Sequence, residues 1–377
     1  MSQAGYIFRQ GNSWYVRYRH AVDVDGELVV KQKCEKLCDY DSNRYRSRKD
    51  VRDLAKEKID KVQMARKHPQ SARMFTTYVE QTWLPYAKRT TKPSTYAGRV
   101  THWKRYIKPR VEKYALHDLT TAIIYGLLDD VARSYSVNLS TVSKIRSILF
   151  GMLKYAINTG ELPSGTANPA KDVMLPECAP RPEPTEAATR GEVQALLAAL
   201  KGQPLARAAI GILAFCGVRP GEARGLRWEE WDRAEKQIHV CRSIWHRVVS
   251  TPKTEKSVRF VTVTDELRAI LLDLWNAKGC PFSGYILAGR NDWPVILDNL
   301  TKRVIQPAAE KASIAWKECY ALRRFHGTEV RMKSNGKTAA EALGNSQAVF
   351  EKHYDKPTSV YPDVRRAVND AFSGLVQ

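Results

Sequence analysis

Two hydrophobic periods run along this chain, and the change between them divides it. Near the start, apolar residues alternate. Tyr6-Ile7-Phe8 and the run Trp14 to Arg19 flank Gly11-Asn12, a hairpin signal. In the second run Trp14, Val16 and Tyr18 share one face, and Tyr15, Arg17 and Arg19 the other. A third strand is expected from Leu28 to Cys34, after Asp25-Gly26. Ser47-Arg48-Lys49-Asp50 then opens a helix carrying Val51, Leu54, Ile59 and Val62.

From about residue 74 the period becomes helical. Trp83, Tyr86 and Ala87 close one helix, and the basic stretch Lys88–Thr95 breaks the chain, with Ser94 or Thr95 placed to cap the next helix. That helix has Trp103, Tyr106 and Ile107 inward, with Lys104, Arg105 and Lys108 outward. Ile145, Ile148, Leu149, Met152, Leu153 and Ala156 recur at the spacing of an amphipathic helix whose polar face holds Lys144, Arg146 and Lys154. Residues 174–188 are proline-rich and read as a linker. Thr189-Arg190-Gly191-Glu192 is a capping box for a helix over 190–202, and a second, over 205–216, stops at Gly217. Strands are expected at 237–244 and 257–263, and helices near 265–277, 298–312 and 321–333. The pattern predicts a multidomain chain, mainly α with small β-sheets.

Length agrees, since 377 residues exceed what one core usually organises. The net charge of +21 points to a polyanionic partner. The basic excess is spread over every segment, which suits a protein lying along DNA, bound through phosphates with strong salt dependence. A basic, aromatic N-terminal sheet can present a ribbon to the major groove. The longest apolar run, Ala208 to Val218, is too short for a bilayer and the N-terminus lacks an apolar signal core, so a cytoplasmic, nucleoid-associated protein is expected. Among seven cysteines only Cys34 and Cys38 are close, and no second pair or His cluster completes a zinc site.

The candidate chemistry lies in the last half. Arg219 sits in Gly217-Val218-Arg219-Pro220-Gly221-Glu222, Lys253 in Thr251-Pro252-Lys253-Thr254, and Arg323 in Tyr320-Ala321-Leu322-Arg323. Asn345 follows Leu343-Gly344, and Tyr354 lies in Glu351-Lys352-His353-Tyr354. Phosphoryl transfer needs cationic donors for the nonbridging oxygens, a nucleophile in line and an acid for the leaving oxygen. Arginine's planar fork suits the first need, so Arg219 and Arg323 are its candidates, and Glu222, one turn on, can orient Arg219. Lys253 is the candidate acid, with Lys256 its competitor, and Tyr354 the candidate nucleophile, with Tyr361 its competitor.

These motifs together resemble the tyrosine recombinase, or phage integrase, family over roughly residues 70–377. Arg323 to Tyr354 spans 31 residues and Asn345 to Tyr354 nine, as in the family's pattern. The resemblance implies an N-terminal β-β-β-α arm-binding domain over 1–70, a helical core-binding domain over 71–175 and an α+β catalytic domain over 188–377. It implies a site-specific DNA recombinase, an integrase of a prophage or mobile element, that cleaves and rejoins DNA through a 3′-phosphotyrosine without metal or other cofactor. The implied partners are double-stranded DNA attachment sites, three further copies in a homotetramer, an excisionase and a host DNA-bending protein. Two positions depart from the family: Tyr320 stands where it usually has His, and Asn345 where it has His or Trp. Tyrosine and asparagine can donate hydrogen bonds but cannot act as an imidazole base near neutral pH. A catalytically impaired DNA-binding relative therefore remains a second reading. His326 and His353 are candidate substitutes. A type IB topoisomerase shares the chemistry but not the addressed N-terminal arm.

Overall fold

A computed structural model describes residues 5–24, 27–56, 58–59, 69–183, 185–251 and 257–353. Its backbone clusters into two compact units, Met1–Glu183 and Pro184–Gln377.

The first unit opens with an antiparallel sheet in the order β1 (Tyr6–Gln10), β2 (Ser13–Val24), β3 (Glu27–Asp39). The third strand is longer than its apolar pattern predicts, because pairing with β2 carries the polar stretch 35–39 along. Alternation holds on β2: Trp14, Val16 and Tyr18 are buried while Arg17 and Arg19 are exposed. Val16 and Tyr18 pack on Ala55 and Ile59 of the following helical residues. On the opposite face Tyr6, Phe8 and Tyr15 stack in a row, and Arg17 lies over the Phe8 ring. Asp50 accepts hydrogen bonds from the Ser47 amide and hydroxyl at 2.7 and 2.9 Å, the reciprocal half of a cap. Val62, expected on that helix, lies outside the described residues.

The helical segment packs Phe75, Tyr78, Trp83, Trp103, Tyr106, Ile145, Leu149 and Met152 into one cluster. Helices Thr121–Tyr135 and Leu139–Asn158 are capped by Thr120 and Asn138, whose side chains accept from Ile123 and Thr141. Pro93 starts helix Pro93–His102 with Lys92 as its cap, so Ser94 and Thr95 lie inside the helix instead of capping it. Proline's fixed φ and missing N–H favour it in a first turn.

Among the described residues three helices widen into a π turn: Val79–Trp83, Trp103–Ile107 and, in the second unit, Thr301–Ile305. Each ends two residues before a proline: Pro85, Pro109 and Pro307. The residue between donates back five positions, from Leu84 to Val79, Lys108 to Trp103 and Gln306 to Thr301. The wider loop carries the helix past a ring that would otherwise meet the carbonyl four residues back.

The second unit begins at the capping box, with Thr189 accepting from the Glu192 amide and Glu192 from that of Thr189. Helices Arg190–Ala199, Pro204–Phe215, Asp265–Ala277 and Cys319–Lys333 enclose an aliphatic core. The sheet pairs β4 (Trp231–Asp232), β5 (Gln237–Val240) and β8 (Arg259–Thr262) in the order β4-β5-β8. The expected single strand over 237–244 is divided: β5 ends at Val240, and β6 (Ser243–Trp245) forms a separate hairpin with β7 (Val248–Ser250). No helix among the described residues is long and apolar enough to cross a membrane.

Candidate active site

Helix Pro204–Phe215 stops because Gly217 adopts φ +59°, a left-handed turn that glycine enters at no steric cost. A side chain there would also collide with His326, whose Cδ2 lies 2.4 Å from where a Cβ would sit. The turn delivers Arg219 to the N-terminus of the short helix Pro220–Gly225 with Pro220 in its first turn. Glu222 accepts from the Arg219 amide at 3.0 Å and from its guanidinium at 2.6 Å. Burial alone would raise the Glu222 carboxyl's pKa, but Arg259, Arg219 and the Arg219 amide outweigh it and hold the group below the usual carboxylate range.

The Arg219 guanidinium makes two further contacts. Nη1 donates to Ser257 Oγ at 3.2 Å, and Nη2 to Asn345 Oδ1 at 2.8 Å. Asn345 is turned out by Gly344, which caps helix Gly336–Leu343 at φ +63°. Because the charged donor fixes Oδ1, Asn345 presents Nδ2 on its other side. That nitrogen is buried and has no hydrogen-bond partner among the described residues.

Arg323 is fully buried at 0% exposure. It donates to Gly217 O at 2.6 Å and Leu343 O at 2.8 Å, two residues before Arg219 and Asn345 respectively. One side chain on helix Cys319–Lys333 thus ties together the two loops that carry the other candidates. Tyr320 lies one turn earlier on the same helix and is 41% exposed. His326, one turn later, is desolvated by burial, and its pKa falls to about 4, helped by the charges of Arg323 and Arg259 and opposed by hydrogen bonds to the Ala214 and Phe215 backbone. It is neutral near pH 7. Lys253, Lys256, Tyr354 and Tyr361 lie outside the described residues, and the side chain of His353 likewise. Helix Gln347–His353, which precedes Tyr354, is anchored by Phe350, buried with Ala339, Ala340 and Leu343.

The structure therefore brings together Arg219, Arg323 and Asn345 of the sequence candidates, with Tyr320 on the helix that carries Arg323. It adds Ser257 and Arg259. Arg259 donates to Glu222 at 3.3 Å, to Ser257 O at 3.0 Å and to Ala342 O at 3.2 Å. Its other nitrogen, Nη2, is buried without a partner among the described residues. Strand alternation held the signal for it: Arg259 shares the inward face with Val261 on β8.

No family model matches the chain. A tyrosine recombinase XerC-like protein of Caldanaerobacter subterraneus is 24% identical over 301 residues, covering 70% of this chain and 74% of the relative. The Tn1549 transposon integrase, solved with a circular intermediate DNA, superposes with a TM-score of 0.64 at 17% identity, over 79% of this chain and 99% of that one. A lambda integrase tetramer bound to a Holliday junction gives 0.60 at 16% identity, over 96% and 99%. The fold is that of the DNA integrases, a mainly helical, multidomain architecture with small sheets. The chain is similar, in sequence and in fold, to proteins of the tyrosine recombinase, or phage integrase, family.

Proposed function

We propose that this protein is a site-specific DNA recombinase, the integrase of a prophage or mobile element, with Arg219, Lys253, Tyr320, Arg323, Asn345 and Tyr354 at its catalytic centre. The single observation that carries this reading is the Arg323 tie, which holds the Arg219 and Asn345 loops together around buried positive charge. The Tyr354 hydroxyl gives its proton to water as its oxygen attacks the scissile phosphorus, the bond from phosphorus to the 5′-oxygen breaks, and Lys253 gives that oxygen a proton. Bond energy is conserved in the 3′-phosphotyrosine, so rejoining runs the same step backwards with a new 5′-hydroxyl. Arg219 and Arg323 neutralise the negative charge that grows on the nonbridging oxygens. The Asn345 amide, its Nδ2 already aimed away from Arg219, donates where the family's imidazole or indole usually does. Tyr320 donates through its hydroxyl.

Residues 1–70 would address arm sites through the Tyr6–Phe8–Tyr15 and Arg17 face, and residues 71–175 the core site. Four copies would exchange strands in pairs, with an excisionase and a host DNA-bending protein setting direction. A nicked suicide duplex carrying the cognate site tests the reading. The parent should leave a covalent protein–DNA band, and Tyr354→Phe should abolish it with little change in DNA affinity, since most of that affinity is electrostatic. An adduct surviving in Tyr354→Phe would exclude Tyr354 as nucleophile. Tight, specific binding with no adduct from the parent would favour a DNA-binding regulator instead.

A further inference from the structure

The outer face of the β4-β5-β8 sheet gathers a carboxylate, an imidazole and a thiol. Its inner face sends Trp231, Ile238, Val240 and Val261 into the core, beside the inward-facing Arg259. The β4–β5 register pairs Trp231 with Ile238 and Asp232 with Gln237, which continues to set Glu230 opposite His239. Cys241 lies two residues beyond His239 on the same side of the chain. The carboxylate, imidazole and thiol therefore converge, with one ligand atom from each lying within 4.8 Å of the other two. Each of the three residues is partly buried, which limits the water that must be displaced.

Three details prepare these groups. The Cys241 thiol donates to Glu230 Oε1 at 3.1 Å, so a proton already bridges two of the donors. Arg242 holds the opposite oxygen, Oε2, at 2.6 Å and also donates to Gly225 O at 3.2 Å, which fixes the carboxylate and aims Oε1 at the thiol. The His239 ring is stacked on Phe260 with centroids 4.7 Å apart, which limits its rotation. Outer contacts of this kind orient metal ligands.

We propose that Glu230, His239 and Cys241 form a binding site for a borderline-soft divalent cation of the zinc class, outside the recombination centre. Thiolate and imidazole select such ions over magnesium or calcium. Bond lengths of about 2.0–2.3 Å put tetrahedral ligands about 3.5 Å apart, within reach of small side-chain rotations. On binding, the cation replaces the Cys241 thiol proton, which passes to solvent, and a water completes four ligands. The bound ion would cross-link the turn before β4 to the end of β5.

Cobalt(II) is a suitable probe, because a thiolate ligand gives it a near-ultraviolet charge-transfer band and four-coordination gives intense visible bands. The full chain, reduced and stripped of metal, should take up one cobalt(II) with both features, and zinc(II) should bleach them. Cys241→Ser should remove the charge-transfer band. His239→Ala and Glu230→Gln, checked for folding by circular dichroism, should each weaken cobalt affinity at least about tenfold. The double variant Cys34→Ser/Cys38→Ser should keep the band. Its absence from the parent, its survival in Cys241→Ser, or its loss in the Cys34/Cys38 variant would overturn the proposal. These readouts need no DNA cleavage, so they stand apart from the recombinase reading.

Discussion

The two units bury different chemistry. The helical cluster of the first is filled with aromatic and aliphatic side chains, and the buried polar residues of that unit among those described are Ser71 and Glu161. The second unit buries Glu222, Arg224, Ser257, Arg323 and Arg324. Arg224 donates to the carbonyls of Val295, Ile244, His246 and Pro294, and Arg324 to that of Glu186. The first core is held by the packing of helix faces. The second is held in addition by guanidinium groups that gather loops, since a buried carbonyl needs a donor and arginine offers five. Loops placed in this way can be shaped for chemistry, whereas helix faces are shaped for each other.

The largest test of this contrast is Arg323→Ala. It leaves the Gly217 and Leu343 carbonyls without their donor and opens a void, so we expect a cost of about 3–5 kcal/mol in urea unfolding. Cleavage of the suicide duplex should fall at least about 100-fold. A stability loss below about 1 kcal/mol would show that the loops hold each other unaided.

Leu149→Ala probes the other unit. Leu149 is fully buried, and truncation should cost about 2–5 kcal/mol. Hydrogen exchange resolved by peptide should place the lost protection within 69–183. Equal loss around Arg219 would break the division drawn between the two cores.

The smallest effect expected is on acid stability. His326 titrates at about 4 in the folded chain, against about 6.5 when unfolded. Between those values the unfolded chain binds the extra proton. Stability is therefore full above about pH 6.5 and falls as pH drops toward 4, by about 3 kcal/mol at most. Glu222, held low, adds its own loss only at pH values below the ordinary glutamate range. His326→Gln should flatten the urea midpoint between pH 7 and pH 5. An unchanged slope would assign the acid sensitivity elsewhere.

The same contrast explains what the sequence disclosed. Helix Leu139–Asn158 was legible because Ile145, Leu149, Met152, Leu153 and Ala156 recur at one angle, and all five are buried. The Thr189–Glu192 cap and the Gly217 stop were legible because local chemistry specifies them. Arg219 and Asn345 stood out by motif. Their contact did not, because 126 residues separate them and no period connects them. Arg259 was not among the candidates, and its burial follows from strand alternation together with its ion pair to Glu222. The Glu230–His239–Cys241 centre escaped notice because register, which periodicity does not determine, sets Glu230 opposite His239. The π turns were likewise unannounced, although each precedes a proline that marks the disruption.

The Arg323 tie has a consequence during synthesis. Ribosomes elongate at about 5–20 residues per second, so roughly ten seconds separate the emergence of Arg219 from that of Asn345. Throughout that interval the nascent chain already displays the positive charge of its N-terminal side to nearby nucleic acid. The loop that engages Arg219, and the tyrosine beyond it, have not yet been made. Under the proposed assignment, a growing polypeptide can therefore touch DNA before the residues assigned to cleavage exist.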